Sequence, residues 1–211
     1  MVTINYAMYF CFLIPIILSL FIMENKSRLM ISFIMIGMTV CLVAAELNAS
    51  IYQALDRNKV YYTTTISPII EEVLKAIPIL IYALIRLYDR SKIAQLSFAV
   101  GLGFAIMENL IMLTERLGQG YTRINISWAI MRGFGASLMH SICTVIIGLG
   151  IYYVKIRKKT FYCGTFSLIM LAITYHSIYN TLVLSSYSYL GIMLPLCTYI
   201  PLLLFYGKRV G

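Results

Sequence analysis

Five ionisable side chains lie well inside long apolar stretches of this sequence, and their types suit acid–base chemistry or metal binding. They are Glu71, Glu72, Glu108, His140 and His176, and the last two are the only histidines of the chain. A charged group near the centre of a membrane-spanning helix costs about 2.5–3.5 kcal/mol on insertion scales. Such residues usually face the interior of a helix bundle and mark a functional site. The set therefore predicts a buried polar site.

Spacing within two of the stretches adds polar partners to this set. Glu71 and Lys75 are four residues apart, so on a helix they share a face, and the ammonium can neutralise one carboxylate while leaving the other for chemistry. His176 and Asn180 have the same spacing. The Asn180 amide is therefore predicted to orient the imidazole or to donate a hydrogen bond to a developing oxyanion.

The surrounding sequence is that of a membrane protein. Of its 211 residues, 61% are hydrophobic and 12% are charged, about half the charged fraction of a soluble domain. We expect a single integral membrane domain over residues 1–211, in contact with the lipid bilayer. The net charge of +9 does not indicate nucleic-acid binding, because the basic residues cluster between apolar stretches, as in cytoplasmic anchoring. The five cysteines predict free thiols packed as small hydrophobic side chains.

Seven apolar segments predict an all-α, polytopic transmembrane bundle of about seven helices, since a spanning helix needs about 20 apolar residues. The segments are Ile4–Met23, Leu29–Tyr52, Ile66–Ile85, Ile93–Leu113, Ser127–Val154, Phe161–Leu184 and Tyr189–Tyr206. Two glycine pairs, Gly101/Gly103 and Gly133/Gly135, predict close approach between helices.

The loop charges predict the orientation of the bundle and the depth of the polar residues. Eleven Lys and Arg residues lie at alternate connections and at the chain end, against four on the other side. The N-terminus is thus predicted outside and the C-terminus in the cytoplasm. With these segment ends the three glutamates and His176 share one depth in the outer third of the membrane, while His140 lies a turn or two deeper.

Three further residues are interpreted as structural. Arg132, near the outer end of the fifth segment, is predicted to extend its charge to the membrane interface. Glu46 is predicted to lie at the interface near the end of the second segment. Cys143 shares a face with His140 and is predicted to pack in the core as an inert thiol.

Four motifs on consecutive segments, over about residues 66–184, carry a family resemblance. They are EExxK (Glu71 to Lys75), FxxxEN (Phe104 to Asn109), His140 followed by Thr144 and Gly148, and HxxxN (His176 to Asn180). In this order they resemble the PrsW family of bacterial intramembrane proteases. That family is a distant relative of the CAAX-processing and bacteriocin-processing membrane proteases.

The resemblance implies an activity, a location and a set of site residues. The family's founding member makes the first, extracytoplasmic cut in a membrane-anchored anti-sigma factor. The resemblance thus implies a membrane-embedded endopeptidase of the bacterial cell membrane whose substrate is a single-pass membrane protein such as an anti-sigma factor. The positions expected in the active site are Glu71, Glu72, Glu108, His140, His176 and Asn180, with Lys75 and Asn109 in support.

Hydrolysis by an activated water is the expected chemistry, because no Ser or Cys lies at a clear nucleophile position beside a base. Glu71 or Glu72 would act as the general base. His176, with Asn180, would stabilise the oxyanion or protonate the leaving amine. Glu108 and His140 would complete the water site.

Metal dependence stays open at this point. The chain has no HExxH sequence, which would be the specific signal for zinc. One mechanism is glutamate-dependent and uses no cofactor, and the other uses Zn²⁺ with an open fourth position. The candidate ligands are His140, His176 and Glu108.

Two other classes of function compete with proteolysis. Chains of intramembrane Glu and His residues also serve ion-coupled transporters and proton relays. Those proteins are typified by inverted repeats and paired broken helices, and this sequence shows neither pattern. The other alternative is a non-catalytic bacteriocin-immunity or scaffold protein that keeps the fold without the activity.

Overall fold

The computed structural model describes residues 25–55, 58–86, 89–119, 126–156 and 162–207, which are helical throughout apart from short turns and contain no strand. The helices are α1 (Asn25–Leu55), α2 (Lys59–Tyr61), α3 (Ser67–Ile85), α4 (Arg90–Gly118), α5 (Ile126–Ile156), α6 (Ser167–Leu184) and α7 (Ser188–Gly207). Two π-helical turns, Tyr62–Ile66 and Tyr162–Phe166, lead into α3 and α6. The predicted all-α class is confirmed.

The described part of the chain holds six long helices, one fewer than the seven predicted. The predicted first segment, Ile4–Met23, lies outside the described residues, as do the basic residues at the chain end. The orientation of the termini therefore stays a prediction. The last predicted segment is confirmed as α7, which contains both Pro195 and Pro201.

Four of the described helical stretches are long and apolar enough to cross a membrane. They are Ser27–Leu55, Arg90–Gly118, Trp128–Lys155 and Gly164–Leu184. Helix α3 is of similar hydrophobicity outside its motif, but Glu71, Glu72 and Lys75 lie within its 19 residues. Its buried stripe contains these three polar residues, whereas its exposed positions include Ile69, Val73, Ile77, Ile81 and Leu84. This polar-inside, apolar-outside pattern is the one that a lipid-facing helix requires.

Helix ends differ from the predicted ones at two places that matter for the site. Helix α4 continues to Gly118, so Glu108 lies ten residues from its end, about 15 Å, and not five residues from Leu113. The helical stretch that contains α3 begins at Lys59, where Asn58 accepts a hydrogen bond from the Val60 N–H at 2.8 Å. An asparagine N-cap is a sequence signal for such a start.

Helix α4 packs between α1 and α5, and glycines allow the close approach. A methyl group added at Gly101 would lie 2.5 Å from the carbonyl oxygen of His140, and one at Gly103 would collide with the Ile34 backbone of α1. The prediction of close approach is confirmed for this pair. At Gly135 an added methyl would meet the Tyr179 hydroxyl at 2.9 Å, but Gly133 faces open space, so the prediction is wrong for Gly133.

The contact at Gly101 gives a prediction about stability. Gly101→Ala should lower the free energy of unfolding by about 1–3 kcal/mol, because backbone atoms of α5 cannot move aside as a flexible side chain would. Thermal unfolding of the purified protein in detergent measures the change. Gly133→Ala is the matched control and should unfold like the wild type, since nothing lies within 4 Å of its added methyl. Equal melting of the two variants would contradict the packing described here.

Candidate active site

The polar motif residues converge on one buried cluster formed by α3, α4, α5 and α6. Glu72, Lys75 and His140 are each 0% exposed, and His176 is 1% exposed. The rings of the two histidines meet edge to face, with centroids 4.9 Å apart. The convergence that sequence spacing predicted is therefore present in the structure.

Glu72 is the centre of this cluster. Its Oε1 accepts hydrogen bonds from the Lys75 ammonium at 2.6 Å and from Nδ1 of His176 at 2.8 Å. The other ring nitrogen of His176, Nε2, lies 3.8 Å from Oε2 of Glu71. The i, i+4 spacing favoured Glu71 as the partner of Lys75, and the structure corrects this, since the ion pair joins Lys75 to Glu72 at i, i+3.

His140 lies within the cluster and not below it. Its Nδ1 is 3.0 Å from the Lys75 ammonium, and its Nε2 is 3.0 Å from Oε2 of Glu108. An ammonium can only donate, so Nδ1 accepts and Nε2 donates to the carboxylate. The predicted extra depth of His140 is wrong, because it rested on helix ends that placed Glu108 and α3 too near the membrane surface.

Phe104, the first residue of the FxxxEN motif, covers the polar centre from α4. Its ring lies 4.9 Å from the His140 ring, and the Lys75 ammonium lies 4.7 Å from the ring centroid. An aromatic face within about 6 Å attracts a cation and excludes water from it. The spacing of the motif thus places Phe104 against Lys75 and His140, and Glu108 against the Nε2 side of His140.

Arg132 belongs to the site, although sequence reasoning assigned it to the interface. Its Nη2 forms an ion pair with Oε2 of Glu108 at 2.6 Å, and the two side chains are 17% and 19% exposed. The interface prediction is wrong because Glu108 on the neighbouring helix α4 holds the guanidinium within the bundle. Glu46 is exposed, and its interfacial position stays a prediction. Cys143 is a buried free thiol, as predicted, and contacts the Ala172 carbonyl.

Glu71 is held by residues that sequence reasoning missed. Its Oε1 accepts from the Ser67 hydroxyl at 2.5 Å and from the Asn48 amide at 3.3 Å, while its Oε2 is buried without a hydrogen-bond partner among the described residues. Tyr62 donates in turn to Asn48. An asparagine inside the apolar second segment was the available signal for Asn48. Ser67, four residues before Glu71, was the signal for the other donor.

The two motif asparagines do not contact the central carboxylates or imidazoles in the described part of the chain. The Asn180 amide donates to the carbonyl oxygen of Thr63, 3.0 Å away in the π-helical turn. Its predicted role in orienting His176 is corrected, since that task falls to Glu72. Oδ1 of Asn109 is buried without a hydrogen-bond partner in the same part of the chain.

A set of ligating atoms also appears in the cluster. Glu71, His140 and His176 each offer one ligand atom, and the three atoms lie within 4.8 Å of one another. All three residues are buried. The set differs from the predicted one, because Glu71 takes the place of Glu108, whose carboxylate is engaged by Arg132.

The comparison with protein families identifies this arrangement. A family model described as PrsW family intramembrane metalloprotease matches residues 25–206. The chain belongs to the PrsW family. It is accordingly an intramembrane protease, and the match extends from α1 into α7, beyond the four motifs. No curated protein and no solved structure matches the chain.

The central ion pair gives a second prediction about stability. Lys75→Met should lower the free energy of unfolding by about 3–5 kcal/mol, because it leaves the Glu72 carboxylate buried without its cation. Adding Glu72→Gln should recover most of this loss, since no buried charge then remains unpaired. Unfolding in detergent followed by circular dichroism measures both. Lys92→Met, at an exposed position of α4, is the control, and an equal effect at Lys75 and Lys92 would exclude a stabilising pair.

Proposed function

We propose that this PrsW-family chain uses a zinc ion, held by Glu71, His140 and His176, to hydrolyse a peptide bond in a single-pass membrane protein. The observation that carries the proposal is the convergence of three buried ligating groups within 4.8 Å. Two nitrogens and one carboxylate oxygen, with an open fourth position, form a donor set typical of catalytic zinc. When bound, the ion would lower the pKa of a water molecule and polarise the scissile carbonyl.

Two of the three proposed ligands, Glu71 and His176, could bind such an ion without rearrangement. Oε2 of Glu71 is buried with no described hydrogen-bond partner, and Nε2 of His176 presents its lone pair toward that oxygen. The Nδ1 proton of His176 goes to Glu72, which is the carboxylate–histidine arrangement common behind metal ligands. His140 would ligate through Nδ1, whose lone pair accepts from the Lys75 ammonium in this structure, so the ammonium would have to turn away and keep Glu72 as its partner.

The remaining residues have distinct tasks in the proposed hydrolysis. Glu72 has one oxygen, Oε2, that is buried without a described partner, and we assign this oxygen the role of proton acceptor from water. Lys75 compensates the charge of Glu72 and holds it in place. Arg132 holds Glu108 beside His140, where the carboxylate accepts a hydrogen bond from Nε2–H and fixes the orientation of the ring.

A groove in the surface of the bundle offers a place for an unwound substrate near the π-helical turn that precedes α3. It has a volume of about 310 Å³ and runs between the π-helical turn Tyr62–Ile66 and α6. Its lining includes Thr65, Thr174 and Ser177 and none of the cluster residues. Hydroxyl groups can satisfy the peptide N–H and C=O groups that a helical substrate exposes when it unwinds in a membrane.

The substrate and location in this proposal follow the family resemblance. A single-pass protein of the bacterial cell membrane, such as an anti-sigma factor, would be cut near the extracytoplasmic side. The loop charges bear only on the orientation: they predict the carboxyl-terminal end of α4 outside, and Glu108 lies about 15 Å from that end.

Co-expression tests the substrate. Tagged single-pass anti-sigma candidates should yield a shortened fragment with the wild-type protein, and Glu72→Gln and His176→Ala should abolish it, because each removes a group at the water site. Glu46→Gln, a change of an exposed carboxylate on α1, should cleave like the wild type. Immunoblotting of the tag gives the readout. Processing that persists in both cluster variants would reject the protease assignment of this site.

Metal removal tests the mechanism. Chelator treatment of the purified protein should stop cleavage, and added zinc should restore it. The reason is that, in this proposal, only the bound ion activates the water molecule and polarises the carbonyl. Metal analysis should find about one zinc per chain in the wild type and none in His176→Ala. Full cleavage in chelator by protein that contains no metal would instead establish the glutamate-dependent mechanism.

A further inference from the structure

Two residues outside the four motifs form a hydrogen-bonded chain that ends at Glu71. Its members are Tyr62 in the π-helical turn, Asn48 on α1 and Glu71 on α3. The Asn48 amide donates to Oε1 of Glu71 at 3.3 Å, and the Tyr62 hydroxyl donates to Oδ1 of Asn48 at 3.0 Å. The same hydroxyl lies 3.0 Å from the backbone carbonyl of Asn48.

Glu71 and Tyr62 hold the two ends of the Asn48 amide. Because a carboxylate only accepts, the NH₂ end faces Glu71, and this leaves Oδ1 to accept from the tyrosine hydroxyl. Tyr62 is buried, and its ring packs edge to face on Tyr52 with centroids 5.2 Å apart. The far end of the amide is thus anchored by a buried side chain whose own position does not depend on Glu71.

The π-helical turn holds this donor in register with the site. Across the turn, the Ser67 N–H bonds to the Tyr62 carbonyl, and the Ser67 hydroxyl bonds to Oε1 of Glu71 at 2.5 Å. On its other side the turn is tied to α6 through Asn180 and the Thr63 carbonyl. Single π-helical turns next to α-helices occur frequently at functional sites.

The hydrogen bonds that Glu71 accepts at Oε1 leave Oε2 as the oxygen available to the site. A carboxylate oxygen has about two lone-pair sites, and Ser67 and Asn48 fill those of Oε1. The carboxylate therefore presents Oε2, which has no described partner and lies 3.8 Å from Nε2 of His176.

We propose that Asn48 is a positioning residue, anchored by Tyr62, that fixes the rotamer of Glu71 so that Oε2 points at His176 and the hydrolytic centre. The proposal rests on the function assigned to Glu71 above. Asn48 acts through Glu71 and does not touch the substrate. Partners of this kind behind a ligating carboxylate typically contribute 10–100-fold to metal affinity or activity.

Two pairs of variants test the proposal. Asn48→Leu keeps the volume but removes the amide, and Tyr62→Phe removes one oxygen. Ser50→Ala and Tyr61→Phe are the matched controls, since Ser50 bonds within its own helix and Tyr61 is exposed. Zinc affinity is measured by competition with a chromophoric chelator, and kcat and KM are measured on a cleaved substrate. Asn48→Leu should weaken zinc binding and lower kcat by roughly 10–100-fold with KM nearly unchanged.

The double variant separates positioning from general destabilisation. Tyr62 acts through Asn48, so Asn48→Leu/Tyr62→Phe should be no worse than Asn48→Leu alone. Independent structural roles would give losses that add, and additive losses would overturn the proposal. Unchanged zinc affinity and kcat in Asn48→Leu would overturn it as well. If Asn48→Leu fails to fold, Tyr62→Phe is compared with Tyr61→Phe instead. Equal zinc affinity and equal kcat in these two variants would overturn the proposal.

Glu71→Gln distinguishes a failure here from a failure of the proposed function. If Glu71→Gln keeps both zinc affinity and cleavage, the function assigned to Glu71 is wrong and the positioning role falls with it. If Glu71→Gln loses both while Asn48→Leu matches Ser50→Ala, only the positioning role is overturned. Should the wild type bind no zinc, the metal assignment fails, and kcat alone decides the role of Asn48.

Discussion

The buried ion pair between Lys75 and Glu72 is the interaction on which the rest of the cluster depends. Both side chains are fully excluded from solvent, and their charged atoms are 2.6 Å apart. A buried pair is weak evidence for stability, but each partner makes the other tolerable in an apolar bundle. Each also holds one histidine, Glu72 that of α6 and Lys75 that of α5. One pair on a single helix thereby contacts both imidazoles and holds them in place.

Sequence spacing predicted which residues meet but not which atoms bond. Helical periodicity places Lys75 on one face with both carboxylates, and i, i+3 and i, i+4 neighbours are nearly equivalent on that face. The choice of Glu72 depends on His140 and His176, which approach from other helices. Arg132 is a second example, because its partner Glu108 lies on α4 and the sequence of α5 alone cannot predict that contact.

The ends of helices were the other weak point of the sequence reading. Hydrophobicity located the segments well, but it ended α4 at Leu113 because the polar residues that follow look like a loop. Those residues continue the helix to Gly118. The π-helical turn before α3 has no comparable sequence signature, so the contribution of Tyr62 to the site required coordinates. The motifs, in contrast, depend on local spacing and were read correctly.

Helix α3 buries its polar residues and exposes its apolar ones, and this affects how the helix is inserted into the membrane. A translocon releases a segment into lipid according to its summed insertion energy, and three charged residues near the middle make α3 a poor candidate alone. Helices α1, α4, α5 and α6 satisfy the length and composition for independent insertion. Helix α3 therefore departs from the scheme in which each helix inserts first and associates later. Its entry into the bilayer depends on neighbours that are synthesised after it, so assembly of the catalytic cluster and membrane insertion of this helix are one event.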